Sequence, residues 1–294
     1  MRSEDMSIPS WLSTLVLLGC LLPGVADAGR GLLLLAHGTH SHGGQGDAAS
    51  SWNRNVETLA AELDTELPTE VAFGMANPES IQAAIDRLER RGVREIAAVP
   101  LFVSSHSPII GNFRYILRLR DRLAETTSLR QLEQIQTSSR VAFTTAMDDH
   151  PLIGGILLDR ARALTQKPGT THVVLIAHGP NDPGEDRQWL QNLEAHAALL
   201  RKAGGFRSTS VLTHRNDAPP EVKSRARAAF RQMVAEAGRA GEVIVLPVLL
   251  SAGGIEQEVK ADLEGLSFRF AAPLMPHPNI RRWVEAQLQA AGFR

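Results

Sequence analysis

One apolar run ending in His-Gly occurs twice in this chain, and it constrains the fold more than any other feature. Gly31-Leu32-Leu33-Leu34-Leu35-Ala36-His37-Gly38 matches Val173-Val174-Leu175-Ile176-Ala177-His178-Gly179. A continuous apolar run of this length, without polar alternation, suits a parallel strand covered on both faces by helices. A second block recurs in the same order: Glu95-Ile96-Ala97-Ala98-Val99-Pro100-Leu101-Phe102-Val103-Ser104-Ser105 against Glu242-Val243-Ile244-Val245-Leu246-Pro247-Val248-Leu249-Leu250-Ser251-Ala252. A third pairs Asp149-His150-Pro151 with Pro276-His277-Pro278, each opening a final helix. Three ordered blocks per half mark a tandem duplication.

Between these blocks each half carries amphipathic helices (about 50–66 and 79–91; about 185–203 and 220–238) and a short strand (about 70–75 and 208–213). The order β-α-β-α-β-α per half implies an α/β fold in which each copy is a parallel sheet with right-handed crossovers. The expected organisation is a leader over residues 1–28, a first domain over 29–164 and a second over 170–294. The polar stretch Thr165–Thr171, with Pro168-Gly169, reads as the linker, and Thr126–Ser139 is a second polar stretch. Each copy is long enough to bury a core.

The leader has an apolar run from Trp11 to Leu22 followed by Ala26-Asp27-Ala28, an A-x-A site. The run is short for a bilayer-spanning helix, which needs ~20 apolar residues, so no integral membrane domain is expected. Export to the periplasm or beyond is the expectation. Leu17-Leu18-Gly19-Cys20 also resembles a lipobox, which leaves a lipid anchor on Cys20 as the alternative. Cys20 is the only cysteine, so cleavage after Ala28 leaves no disulfide, thiolate metal site or cysteine nucleophile. Any metal chemistry then falls to histidine and carboxylate.

With 31 basic and 32 acidic side chains the chain has no charge pull toward nucleic acid. Neither a G-x-G-x-x-G fingerprint nor a P-loop lysine is present, so dinucleotide and NTP chemistry find no support. Ser104 and Ser105 near His106 lack the G-x-S-x-G elbow of a serine hydrolase.

Open parallel sheets collect ligands beyond the carboxyl ends of their strands. His37 ends the first strand of half one and His106 follows its later strand, so both project from one sheet edge. Two imidazoles facing one cleft can bind a divalent metal, and one can accept a proton while the other holds the ion. His40 and His42 extend the first loop as a metal-gathering set or a solvated one. His150 and His277 precede helix-opening prolines and read as caps. His172, His196 and His214 carry no constellation around them, and Glu70 and Glu79 read as solvated surface. In half two His178 is retained, but Gly253 stands where half one has His106. That half reads as retired or auxiliary.

These blocks resemble the class II tetrapyrrole chelatases, the sirohydrochlorin chelatase family. The carriers are Ala36-His37-Gly38-Thr39, Asn77-Pro78-Glu79-Ser80, Val99-Pro100-Leu101-Phe102-Val103-Ser104 and His106. In half two they are Ala177-His178-Gly179-Pro180-Asn181-Asp182-Pro183 and Leu246-Pro247-Val248-Leu249-Leu250-Ser251. The resemblance implies two tandem chelatase-like domains over residues 30–294. It also implies insertion of a divalent ion (cobalt, iron or nickel, as substrate) into a tetrapyrrole, with no organic cofactor. Carried over, His37 and His106 bind the metal and take up pyrrole protons. The family commonly reads G-H-G-S-R where this chain has Ala36 and Thr39-His40. It commonly follows the second histidine with aspartate and proline, where this chain has Ser107-Pro108. The departures, with the export signal, keep an alternative open: an exported metal- or tetrapyrrole-binding protein without chelatase activity. A monomer with an internal pseudo-dimer is the expected assembly.

Overall fold

The computed structural model describes residues 29–38 and 46–293. The leader with Cys20, and His40 and His42, lie outside these residues. The first half contains β1 (Arg30–Ala36), α1 (Gly46–Asp64), β2 (Thr69–Phe73), α2 (Pro78–Arg90), β3 (Glu95–Leu101), α3 (Pro108–Ile116), β4 (Arg140–Phe143) and α4 (Pro151–Arg162). The second repeats the plan with β5 (Thr171–Ala177), α5 (Pro183–Leu199), β6 (Ser208–Thr213), α6 (Pro220–Ala240), β7 (Glu242–Val248), α7 (Gly254–Asp262), β8 (Arg269–Phe270) and α8 (Pro278–Ala290).

Each half builds one four-stranded sheet, in the orders β2-β1-β3-β4 and β6-β5-β7-β8, and every pair is parallel. The fold class expected from the repeats is the one observed. Each sheet gains a helix and an edge strand beyond the expected pattern: α3 and β4 in half one, α7 and β8 in half two. β8 is only two residues long, paired at Ile244 and Val245, too short to leave a periodic signal. Proline opens α2, α3, α4, α5, α6 and α8, where its missing N–H costs nothing and its fixed φ suits the first helical turn.

Burial explains the unbroken apolar runs. Leu33 and Leu35 of β1 face a core made with Ile81, Ile85 and Leu88 of α2 and Phe113 of α3. Leu32, Leu34 and Ala36 point the other way, into a core that also holds Val173, Leu175 and Ala177 of β5. Val174 and Ile176 turn outward again, toward Phe230 and Val234 of α6. The two sheets therefore share one central core, filled by α1, α4, α5 and α8, while α2, α3, α6 and α7 cover the outer faces.

The last helices of the two halves are exchanged across that core. α4 packs on β7 and α5 of half two, α8 packs on β3 of half one, and α4 and α8 lie against each other. Ile156, Leu157, Trp283 and Val284 are fully buried there. Truncating a side chain such as Trp283 to alanine in a core of this kind costs about 3–5 kcal/mol. The polar stretch Thr126–Ser139 is irregular, yet its end is tied down. Burial alone would raise the Glu89 carboxyl, but hydrogen bonds from Thr137, Ser139 and Ser138 outweigh it and bring the pKa to about 2.

Among the described residues, no helix is long and apolar enough to cross a membrane.

Candidate functional site

In the order β2-β1-β3-β4, β1 and β3 connect in opposite directions across the sheet, so the crevice beyond their carboxyl ends is the switch point where such sheets bind ligands. His37 follows β1 directly. Ala36 pairs with Leu101, the last residue of β3, and the chain beyond it carries His106. Both histidines therefore leave the same sheet edge from neighbouring strands.

His37 is exposed and its Nδ1 lies 2.7 Å from the Gly38 carbonyl. A carbonyl can only accept, so Nδ1 donates and Nε2 takes no part in this bond. Gly38 is required for this turn. Its φ is +65°, and a Cβ there would sit 2.8 Å from Phe73 Cβ. Half two repeats the arrangement: His178 Nδ1 donates to the Gly179 carbonyl at 2.9 Å, and a Cβ on Gly179 would meet Thr213 Cβ at 2.5 Å.

His106 sits on a loop held from several sides. Its backbone N–H donates to the buried Ser104 hydroxyl at 3.1 Å, and its carbonyl accepts from Trp189 Nε1 of α5 at 2.6 Å. Next to it, Ser105 meets Asp148 twice: its N–H donates to Oδ1 and its hydroxyl to Oδ2, both at 2.7 Å. The same hydroxyl accepts from the Ala146 N–H at 2.9 Å. Asp148 Oδ1 also accepts from Asn192 at 3.2 Å, and its backbone carbonyl accepts from His196 Nε2 at 2.9 Å. Burial holds His196 below the ordinary imidazole range, against the hydrogen bond to Asp148 and the charge of Asp149.

Half two differs at this loop. Gly253 replaces His106, as the sequence comparison indicated, but His178 is not left alone. Its Nε2 lies 3.3 Å from Asp217 Oδ2. The Asp217 carboxyl is held below its usual range first by that hydrogen bond, against burial, and further by the charges of His178, Lys223 and His37. Asp217 was not among the residues singled out from sequence, since an exposed aspartate on a loop carries no local signal.

Other expectations resolve by contact. His150 and His277 cap α4 and α8, accepting from the N–H groups of Leu152 and Asn279 at 3.2 Å. Glu70 lies at the amino end of β2 and pairs with Arg87 at 2.6 Å and Arg91 at 3.6 Å, away from the crevice. His172, His196 and His214, which carry no constellation in the sequence, each have a hydrogen-bond partner in the fold. His172 meets Ser208 at 2.6 Å, and buried His214 meets Asp262 at 2.6 Å beside Arg227. His196 belongs to the His106 loop network. Its partner Asp148 lies 48 residues away in sequence, so no local pattern announces it. Among the described residues, no group of three or more His, Cys, Asp or Glu side chains is gathered as a metal cage.

The CbiX family model matches residues 31–164 and again residues 172–291. A search of curated protein sequences finds no match. Among solved structures, the fold is similar to the sirohydrochlorin chelatase SirB from Bacillus subtilis subspecies spizizenii in complex with cobalt. The identity is 14% over 90% of this chain and 95% of that one, with a TM-score of 0.63. SirB from Bacillus subtilis with Fe3+ gives 16% identity over 90% and 95%, also with a TM-score of 0.63. CbiX, described as the terminal enzyme for siroheme biosynthesis in denitrifying bacteria, gives 20% identity over 89% and 99%, with a TM-score of 0.55.

Proposed function

The chain belongs to the CbiX family of metal chelatases, and from that premise we propose that its first half inserts a divalent ion, cobalt, iron or nickel, into a sirohydrochlorin-like tetrapyrrole. The observation that carries the proposal is that β1 and β3 are neighbours at the switch point of the first sheet and are followed by His37 and by the loop with His106. The relatives solved with cobalt and with Fe3+ support a transition metal as the ion delivered.

The chemistry follows from the two imidazoles. With Nδ1 tied to the Gly38 carbonyl, His37 offers Nε2 as a ligand or a base. His106 supplies the second nitrogen from the loop after β3. Two imidazoles fill only part of a divalent ion's coordination shell and leave positions for the pyrrole nitrogens. As two metal–nitrogen bonds replace two pyrrole N–H bonds, two protons leave. An imidazole titrating near neutral pH accepts a proton at little cost. The acceleration comes from holding ring and ion together and from removing the protons where they are released.

Purified protein is mixed with sirohydrochlorin and cobalt, nickel or iron(II), and metallation is followed by its absorbance change. His37→Ala and His106→Ala are each expected to slow insertion by about a hundredfold or more, the range of losing a general base or a ligand. Wild-type protein no faster than either variant would defeat the proposal.

A further inference from the structure

The geometry points to a second task for half two: we propose that Trp189, Asn192 and His196 of α5, acting through Asp148 and Ser105, position the His106 loop of half one. This rests on the chelatase reading for its catalytic consequence, while the positioning rests on contacts alone. Trp189 holds the His106 carbonyl at 2.6 Å. Asn192 and His196 hold Asp148, one at the carboxylate and one at the backbone carbonyl. Asp148 in turn takes both the N–H and the hydroxyl of Ser105, the residue before His106. The three α5 residues fall at i, i+3 and i+7, so one face of one helix makes all the contacts.

Asp148 has φ of +44°, a left-handed conformation that a non-glycine residue keeps only when its surroundings fix it. Four hydrogen bonds to its side chain and carbonyl do so.

The other half shows that the fold does not need this network. Met147 and Asp148 donate their N–H groups to the carbonyls of Phe102 and Val103, and Leu274 and Met275 do the same to Leu249 and Leu250. These two backbone contacts are therefore common to both halves, while the left-handed φ of Asp148 has no counterpart at Met275. Yet the positions of Ser105, His106 and Asp148 are taken by Ala252, Gly253 and Met275. The polar side chains and the histidine are present together in one half and absent together in the other. A network kept for packing alone would have no reason to follow the histidine.

Three variants test this: Trp189→Phe, which removes the N–H and keeps most of the ring; Asp148→Asn; and Ser105→Ala. Ser105→Thr retains the hydroxyl and serves as the conservative control. Chelation kinetics with sirohydrochlorin and cobalt are measured beside thermal midpoints and 1H–13C spectra of 13C-histidine-labelled protein. The three variants are expected to lower kcat by about ten- to a hundredfold, as loss of ligand-orienting partners does elsewhere. KM for the macrocycle should stay within about twofold of wild type. His106 ring signals should shift or broaden while those of His37 stay in place, and Ser105→Thr should behave as wild type. Unchanged kcat and unchanged His106 signals in the three variants would overturn the proposal, as would equal losses in Ser105→Thr and Ser105→Ala. If wild-type protein inserts no metal, the chelatase reading falls, and the His106 ring signals still decide the positioning on their own.

Discussion

The two halves of this molecule share a topology and differ sharply in the loop after their third strand. β1 and β5 end in the same His-Gly turn, with the same Nδ1-to-carbonyl bond and the same left-handed glycine packed against the neighbouring strand. α4 and α8 begin with the same histidine cap and proline. After β3 and β7 the agreement stops at the side chains. Half one places Ser105, His106 and Asp148 where half two places Ala252, Gly253 and Met275. The comparison separates what both halves keep from what only the first half carries.

The largest expected effect tests the shared part. Gly179→Ala forces a side chain into the left-handed region and against Thr213, and Gly38→Ala does the same against Phe73. Each should lower stability in urea unfolding by about 1–3 kcal/mol, with Gly179 at the upper end because its contact is tighter. Equal wild-type stability in both variants would break the claim that the two turns are built on one rule.

Acid sharpens the comparison next. Burial is the leading cause that lowers His150, His196 and His277 from their ordinary value of 6.5. The unfolded chain binds more protons than the folded one once pH drops below that value. The stability these groups hold as neutral rings is thus complete above about pH 6.5 and is lost as pH falls toward their folded values. The thermal midpoint should fall between pH 7 and pH 5. His196→Gln, which keeps a donor for the Asp148 carbonyl, should make that slope shallower. A midpoint that is flat over this range would contradict the lowering of these three rings by burial, which is full for His196 and partial for His150 and His277.

The smallest effect concerns the residual histidine. His178→Ala should change the rate of metal insertion by no more than about threefold, since His178 is paired with Asp217 and Gly253 stands where half one has His106. A loss as large as that of His106→Ala would show that half two takes part in the chemistry directly.

Much of this was legible in the sequence, for physical reasons that also mark where legibility ends. A buried parallel strand must be apolar throughout, so β1, β5, β3 and β7 announce themselves, and the histidines that end or follow them come with the strands. β4 and β8 are edge strands of four and two residues, with too little burial to impose a pattern. The partners of the His106 loop were hidden by distance. Asp148 lies 43 residues from Ser105, and Trp189 lies 83 residues from His106, in the other half. Periodicity shows that α5 is a helix, but not which loop its tryptophan will touch. The repeat likewise shows where each copy's last helix begins, and not on which copy it packs.

That exchange of α4 and α8 has a consequence for how the two copies live together. A lone copy, folded as it stands in the pair, would hold its last helix out into water and leave the seat for its neighbour's helix open along β3 or β7. Two separate copies would meet this by trading arms as a homodimer, an assembly that dilution pulls apart. Joining them through the short stretch around Pro168 makes the trade intramolecular and removes its dependence on concentration. Each copy then serves as the socket for the other's last helix, whatever chemistry its own loops carry.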